Sequence, residues 1–217
     1  MTEYTDSHRK RLTDYPRPSV AVDTAVLTVR DGELCIVLVA ADTAAGRAKT
    51  LATSARRLPG TFLHEGETLA DAVRRSLEIK AGIRGMVPRQ LHVFDVPDRD
   101  DRGRVLSVAH LLAVGSDALV GVELVPVAEA TGLAFDHDEI VRLALTRLRD
   151  DHREHPDPFD LLGDQFTLLE LQRLHEAIDP ATPKRDTFRR TMLRHLVETG
   201  EIRLRTVGKP ARLFRHA

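Results

Sequence analysis

The chain has 217 residues, 42% hydrophobic and 30% charged, enough for a packed core in one large domain or two small ones. No apolar run approaches the roughly 20 residues of a membrane helix, so no membrane partner is expected; the single cysteine, Cys35, excludes an internal disulfide and a cysteine-based zinc site, which suits the cytoplasm. The net charge of −1 hides an asymmetry: residues 182–217 hold ten Lys and Arg against three acids, +7, while the other 181 residues hold 22 against 30, −8. A concentrated positive end on an acidic chain points to a polyanion partner.

Residues 1–17, "MTEYTDSHRKRLTDYPR", are polar, without the apolar segment of a leader, and read as a mobile arm. Residues 19–40 read as a hairpin: "VAVDTAVLTV" and "LCIVLVA" are β-rich and flank the turn signal Asp31-Gly32. Cys35, inside the second run, reads as a small buried hydrophobe. Residues 41–57 are small and polar and read as a loop. Thr68 to Ala81 reads as a helix with Leu69, Ala72, Val73 and Leu77 on one stripe, Thr68 and Asp71 as its N-cap pattern and Gly82 as its stop. Strands are predicted at 89–96, 105–114 and 121–127, the first two joined by the charged loop "PDRDDRGR", and a helix at 138–153. The proline- and glycine-bearing "EHPDPFDLLGDQF" marks a boundary, giving domains of 18–155 and 156–217.

Beyond it, "FTLLELQRLHEAI" opens on a capping box, Thr167 with Glu170, and buries Leu168, Leu171, Leu174 and Ile178. "KRDTFRRTMLRHLVETG" reads as a second helix, N-capped by Thr182 with Pro183 in its first position and ended by Gly200. Phe188, Met192, Leu196 and Val197 are expected to face inward. "EIRLR" and "ARLFRH" alternate as two strands around "TVGKP". Two helices, a short turn and a basic hairpin predict a winged helix-turn-helix. Lys184, Arg185, Thr187, Arg189, Arg190 and Arg194 are the candidate contacts of its second helix to double-stranded DNA. Arg205, Lys209 and Arg212 are the candidate wing contacts to phosphate. Aromatics at 4% are too few for the stacking platforms of RNA recognition.

"LPGTFLHEGETLADAVRRSLEIKAG", residues 58–82, resembles a Nudix box, G-x5-E-x7-R-E-x-x-E-E-x-G, whose glutamates hold Mg²⁺ against a diphosphate. Thr61, beside Gly60, stands at the first glycine; Glu67, Arg75 and Gly82 match. The glutamates after the arginine fall on Ser76, Ile79 and Lys80. None supplies a carboxylate, and Lys80 repels a divalent cation, so no catalytic residue, metal or hydrolase activity is expected. Arg57, Phe62, Glu67, Arg75, Arg99 and Arg104 are the candidates for a retained ligand pocket. The alternative is an active ADP-ribose or nucleoside-diphosphate hydrolase that draws substitute ligands from Asp98, Asp100 and Asp101.

The whole span 18–216 resembles the NrtR family, the Nudix-related transcriptional regulators of NAD metabolism. The resemblance is carried by "PDRDDRGRVLSVAHLLAV", "LAFDHDEIV", "LLGDQFTLLELQRLHEAI", "RDTFRRTML" and "GKPARLFR", with departures at Asp101, Thr187 and Lys209. It implies an α+β chain: a Nudix-like α/β/α sandwich with a mixed sheet, then the winged helix-turn-helix. It further implies a homodimeric repressor on a palindromic operator near genes of NAD synthesis or salvage. ADP-ribose or a related NAD-derived nucleotide would be the effector, with no cofactor required.

Overall fold

A computed structural model describes residues 5–40, 56–204 and 210–217. Its spine is β1 (Ser19–Arg30), twelve residues long and buried along most of its length. Asp31 and Gly32 take φ of 54° and 81°, the left-handed pair that a tight hairpin requires, and return the chain as β2 (Glu33–Val37). Cys35 is buried in β2, as expected. The short β3 (Val39–Ala40) pairs with β4 (Arg56–Arg57), so the last two residues of the expected 41–57 loop are extended; the others lie outside the described residues.

After β5 (Gly60–Phe62) comes α1 (Leu69–Ala81), then β6 (Arg89–Phe94), β7 (Val105–Ala113) and β8 (Leu124–Pro126). In the six-stranded mixed sheet β6 and β7 lie on one side of β1, with β7 parallel to it; β2 and β5 pair antiparallel along its other edge, and β8 adds to β2. The third predicted strand, 121–127, shortens to three residues. The predicted capping box of α1 is present: the Asp71 amide donates to Thr68 Oγ1 at 3.2 Å and the Thr68 amide to Asp71 Oδ2 at 2.9 Å. Gly82 closes α1 at φ 63°.

Alternation along β1 sorts the two faces of the sheet. Val22 and Val26 pack with Ala72, Val73 and Leu77 of α1. Ala25 and Leu27 pack with Ile140, Val141, Ala144 and Leu148 of α2 (His137–Glu154). The expected α/β/α sandwich is therefore observed.

The C-terminal segment holds α3 (Leu168–Ile178), α4 (Arg185–Met192), β9 (Leu196–Arg203) and β10 (Ala211–His216). The capping box of α3 forms as predicted, with Glu170 N to Thr167 Oγ1 at 3.2 Å and Thr167 N to Glu170 Oε2 at 2.8 Å. α3 belongs to two cores. Leu174 and Ile178 join the large core of the sandwich, whereas Leu171 packs with Phe166, Phe188, Met192 and Phe214.

The second helix of this segment is shorter than its periodicity predicts. α4 stops at Met192, a single 3₁₀ turn follows, and Leu196–Arg203 is strand. The reason is non-local: Leu196, Val197 and Arg203 pair with His216, Arg215 and Ala211. Val197 is exposed rather than inward, Leu196 is half-buried, and Gly200 sits within β9 at φ 81°. Nor does Thr182 cap α4. Its hydroxyl donates to the carbonyls of His175 and Asp179 at 2.9 and 2.7 Å, closing the turn behind α3, and Lys184 occupies the N-cap. Among the described residues no helix is long and apolar enough to cross a membrane.

His152 of α2 and His175 of α3 meet edge to face where the two cores join, and His175 also packs on Phe188. Burial, the dominant influence, depresses the His175 pKa to about 4, against the hydrogen bond to the Pro156 carbonyl. Burial depresses His152 too. A histidine held neutral when folded, with an unfolded pKa of about 6.5, contributes stability that is fully present above that value. The contribution is lost as pH falls toward the folded value. The urea midpoint should therefore decline between about pH 6.5 and pH 4, and His175→Gln should flatten that decline.

Candidate functional site

Asp23, on the α2 side of β1, is buried. Ser107 Oγ, from β7, donates to its Oδ2 at 2.5 Å. His137 Nε2, at the start of α2, lies 3.4 Å from its Oδ1. The Leu58 amide donates to His137 Nδ1 at 3.0 Å, so the ring proton sits on Nε2 and faces the carboxylate. Arg99 stands 3.8 Å from Asp23 and donates through Nε to Asp136 at 2.8 Å. Burial pushes the Asp23 carboxyl up. The His137 hydrogen bond, helped by Ser107 and Arg99, outweighs it and holds the pKa below the usual carboxylate range.

Asp23 forms the floor of a pocket of about 290 Å³. The pocket lies near the lower end of the roughly 300–1,000 Å³ usual for small-molecule sites. Arg57, Lys80, Arg99 and Arg102 line it against two acids, Asp23 and Asp100, giving a cationic wall suited to a phosphate-bearing ligand. Phe62 and Phe135 supply its aromatic surfaces.

Of the sequence candidates, Arg57, Phe62 and Arg99 line this pocket, and Arg99 is already engaged by Asp136 and Asp23. Glu67, Arg75 and Arg104 do not line it. Arg75 grips Glu67 with two bonds of 2.7 and 2.8 Å, and donates to Thr61 Oγ1 and the Phe62 carbonyl. That bonding holds the Glu67 carboxyl down at about 2. The pair fastens β5 to α1, so it shapes the pocket edge without facing into it. Arg104 donates to the Asp95 carbonyl at 2.6 Å. Asp23, Lys80, Arg102, Phe135 and His137 line the pocket without being sequence candidates for it, and Asp100 is a candidate only as a substitute metal ligand. Arg102 and Phe135 lie inside the quoted stretches "PDRDDRGR" and "LAFDHDEIV", which were the available signal.

The Nudix metal does not fit this donor set. Ser76 is buried, with its hydroxyl unpartnered among the described residues; Ile79 is 73% exposed; Lys80 Nζ donates to the Gly60 carbonyl. Among the described residues no three His, Cys, Asp or Glu side chains gather as a metal cluster. Of Asp98, Asp100 and Asp101, only Asp100 lines the pocket, and Arg102 holds it.

A second surface is built by α4. Lys184, Arg185, Thr187, Arg189, Arg190 and Arg194 are all exposed, while Phe188 and Met192 anchor the opposite face. Among the described residues, none of these five cations is held in an ion pair. Arg212 differs, bonding Glu198 across the wing at 3.1 Å. Arg205 and Lys209 lie outside the described residues.

The fold therefore joins a sandwich that holds a cationic pocket to a winged helix of the DNA-binding class. A family model for the NrtR DNA-binding winged helix domain matches residues 158–216. The chain is 31% identical over 216 residues to an ADPR-responsive transcriptional repressor, NtrR, of Acinetobacter baylyi, covering 94% of this chain and 84% of that protein. It superposes on Shewanella oneidensis NrtR complexed with a 27mer DNA with a TM-score of 0.73 and 29% identity, over 91% of this chain and 93% of that one. A shorter match, 35% over 91 residues, is to an ADP-ribose pyrophosphatase of Methanocaldococcus jannaschii, covering 39% of this chain and 54% of that enzyme. The chain belongs to the NrtR family.

Gly60 is required by the buried network: a Cβ there would lie 1.9 Å from Asp23 Oδ1 and 2.8 Å from the Val22 carbonyl. Gly60→Ala should therefore cost about 2–3 kcal/mol, read as a lower urea midpoint. An unchanged midpoint would show that Asp23 is not held as described.

Proposed function

We propose that this chain is a DNA-binding transcriptional repressor of NAD synthesis or salvage genes, released from its operator by ADP-ribose or a related NAD-derived nucleotide. The observation that carries the reading is the pairing of two cationic surfaces of different kinds. The α4 face is open, with its cations unengaged by ion pairs among the described residues, as contact with a polyanionic duplex requires. The pocket is a partly open cleft lined by arginine, lysine and two phenylalanines, which offers cations to phosphate and aromatic faces to a base. The ADPR-responsive repressor of Acinetobacter baylyi and the DNA complex of Shewanella oneidensis NrtR support the same division of labour.

Hydrolysis is not part of this function, because positions 76, 79 and 80 offer no carboxylate to a metal. A homodimer reading two half-sites in successive major grooves is the geometry natural to such a module. The cytoplasm, with the protein on the nucleoid, is the corresponding location.

Release requires the effector to prefer a conformation that DNA disfavours. Helix α2 supplies a physical connection. Its first residue, His137, lines the pocket. Near its other end Arg149 donates to the Ile178 carbonyl at 3.1 Å and Arg153 bonds Asp179 at 2.9 Å, both at the end of α3. A shift of the His137 end is thereby passed to the helix on which α4 packs.

In a gel shift with the gene's own upstream DNA, ADP-ribose should release the retarded band. The double variant Arg189→Ala, Arg190→Ala should weaken binding and reduce the log–log salt slope by about 2 if both contact phosphate. A wild-type affinity and slope in that variant would remove α4 from the interface.

A further inference from the structure

The guanidinium carbon of Arg102 lies 5.5 Å from the centre of the Phe62 ring and 5.5 Å from that of Phe135. Both rings are open to solvent, 38% and 44% exposed, although each is large and apolar. They come from separate parts of the chain: Phe62 ends β5 and Phe135 stands just before α2. Phe135 is held at φ 57°, a left-handed conformation that bulky side chains rarely adopt. Strain of this kind persists where the surroundings impose it, and here it accompanies an exposed ring on the pocket wall.

A guanidinium is planar, delocalised and cationic, and it lies against aromatic faces much as a heterocycle does. Among the described residues, Arg102 is held by one residue, through a bidentate guanidinium pair. Its Nε and Nη2 donate to Asp100 at 2.8 and 2.6 Å, and its side chain is 60% exposed. No packed core has to open for it to move. Asp100 is buried, and the Arg102 hydrogen bonds, with a smaller contribution from Arg99, hold its carboxyl below the usual carboxylate range.

We propose that Arg102 is a place-holder for the aromatic base of the effector. Its guanidinium occupies the space against Phe62 and Phe135 in which the base stacks, and the base enters by displacing it. The displaced arginine leaves the buried Asp100 carboxylate free to accept from N–H or O–H donors of the incoming group. Two parts of the pocket thus read two parts of the ligand. The aromatic pair with Asp100 reads the base, while the phosphates face the part of the lining that holds Arg57 and Lys80, the latter bonded to the Gly60 carbonyl. The self-contact also disfavours small phosphate anions as effectors, because they have no ring with which to dislodge it.

This proposal rests on the effector reading above, and the test separates the two. Titration calorimetry on the full chain compares wild type with Arg102→Ala, using ADP-ribose and inorganic pyrophosphate as probes. Arg102→Ala should bind ADP-ribose roughly tenfold more tightly, because the blocked state is removed, with no gain for pyrophosphate. Weaker binding of ADP-ribose, unchanged binding, or an equal change for both probes overturns the proposal. A second variant does not depend on Arg102. The chain has no tryptophan, so Phe135→Trp places a lone reporter at the proposed stack. ADP-ribose should quench its fluorescence saturably and pyrophosphate should not; calorimetric binding of ADP-ribose without that quench overturns the stack. Absence of ADP-ribose binding to both wild type and Arg102→Ala overturns the effector reading together with the place-holder. Binding to wild type with no tightening in the variant overturns the place-holder alone.

Discussion

The structure depends on one buried carboxylate. Asp23 lies in the central strand, and a charge there is tolerable only because every neighbour answers it: Ser107 from the parallel strand, His137 from α2, and Arg99 from the loop before β7. Each partner comes from a different element, so satisfying one charge fixes the relative positions of β1, β7, α2 and the charged loop. The same charge dictates a glycine at position 60 and thereby brings β5 close to β1. The pocket is what remains above this network. Its cationic wall follows from the loop that supplies Arg99 and Arg102 and from the lysine that α1 presents at position 80.

Helix α2 carries the consequence across the molecule. Its 18 residues span about 27 Å at 1.5 Å per residue. One end meets Asp23 and the other meets the end of α3. Because α3 is buried in both cores, the winged helix is packed against the sandwich rather than tethered to it. A rigid helix anchored at both ends to charged or hydrogen-bonded groups is a suitable element for coupling two sites. The buried His152–His175 contact lies at the same junction.

Local chemistry was legible in the sequence and long-range pairing was not. The Asp31-Gly32 turn, both capping boxes and Gly82 act within a few residues, and all appear where the sequence places them. Residues 196–200 continue a helical apolar pattern, yet they form strand because β10 offers partners that no local window contains. The +7 segment and the loss of carboxylates at 76, 79 and 80 can be read directly from residue types. The pocket itself is assembled from positions 23, 57, 80, 100, 102 and 135, and only the fold brings these together. Glu67 and Arg75 were prominent as motif landmarks, but they bond to each other and to β5 instead of facing a ligand.

Effector-controlled DNA binding has a thermodynamic signature that neither surface produces alone. If ADP-ribose weakens operator binding, the operator must weaken ADP-ribose binding by the same factor. The most direct measurement is therefore the ADP-ribose dissociation constant of the full chain, free and saturated with operator duplex at one salt concentration. The expected result is a weaker constant on DNA, by the factor found for operator release. Equal constants would contradict the coupling between pocket and winged helix.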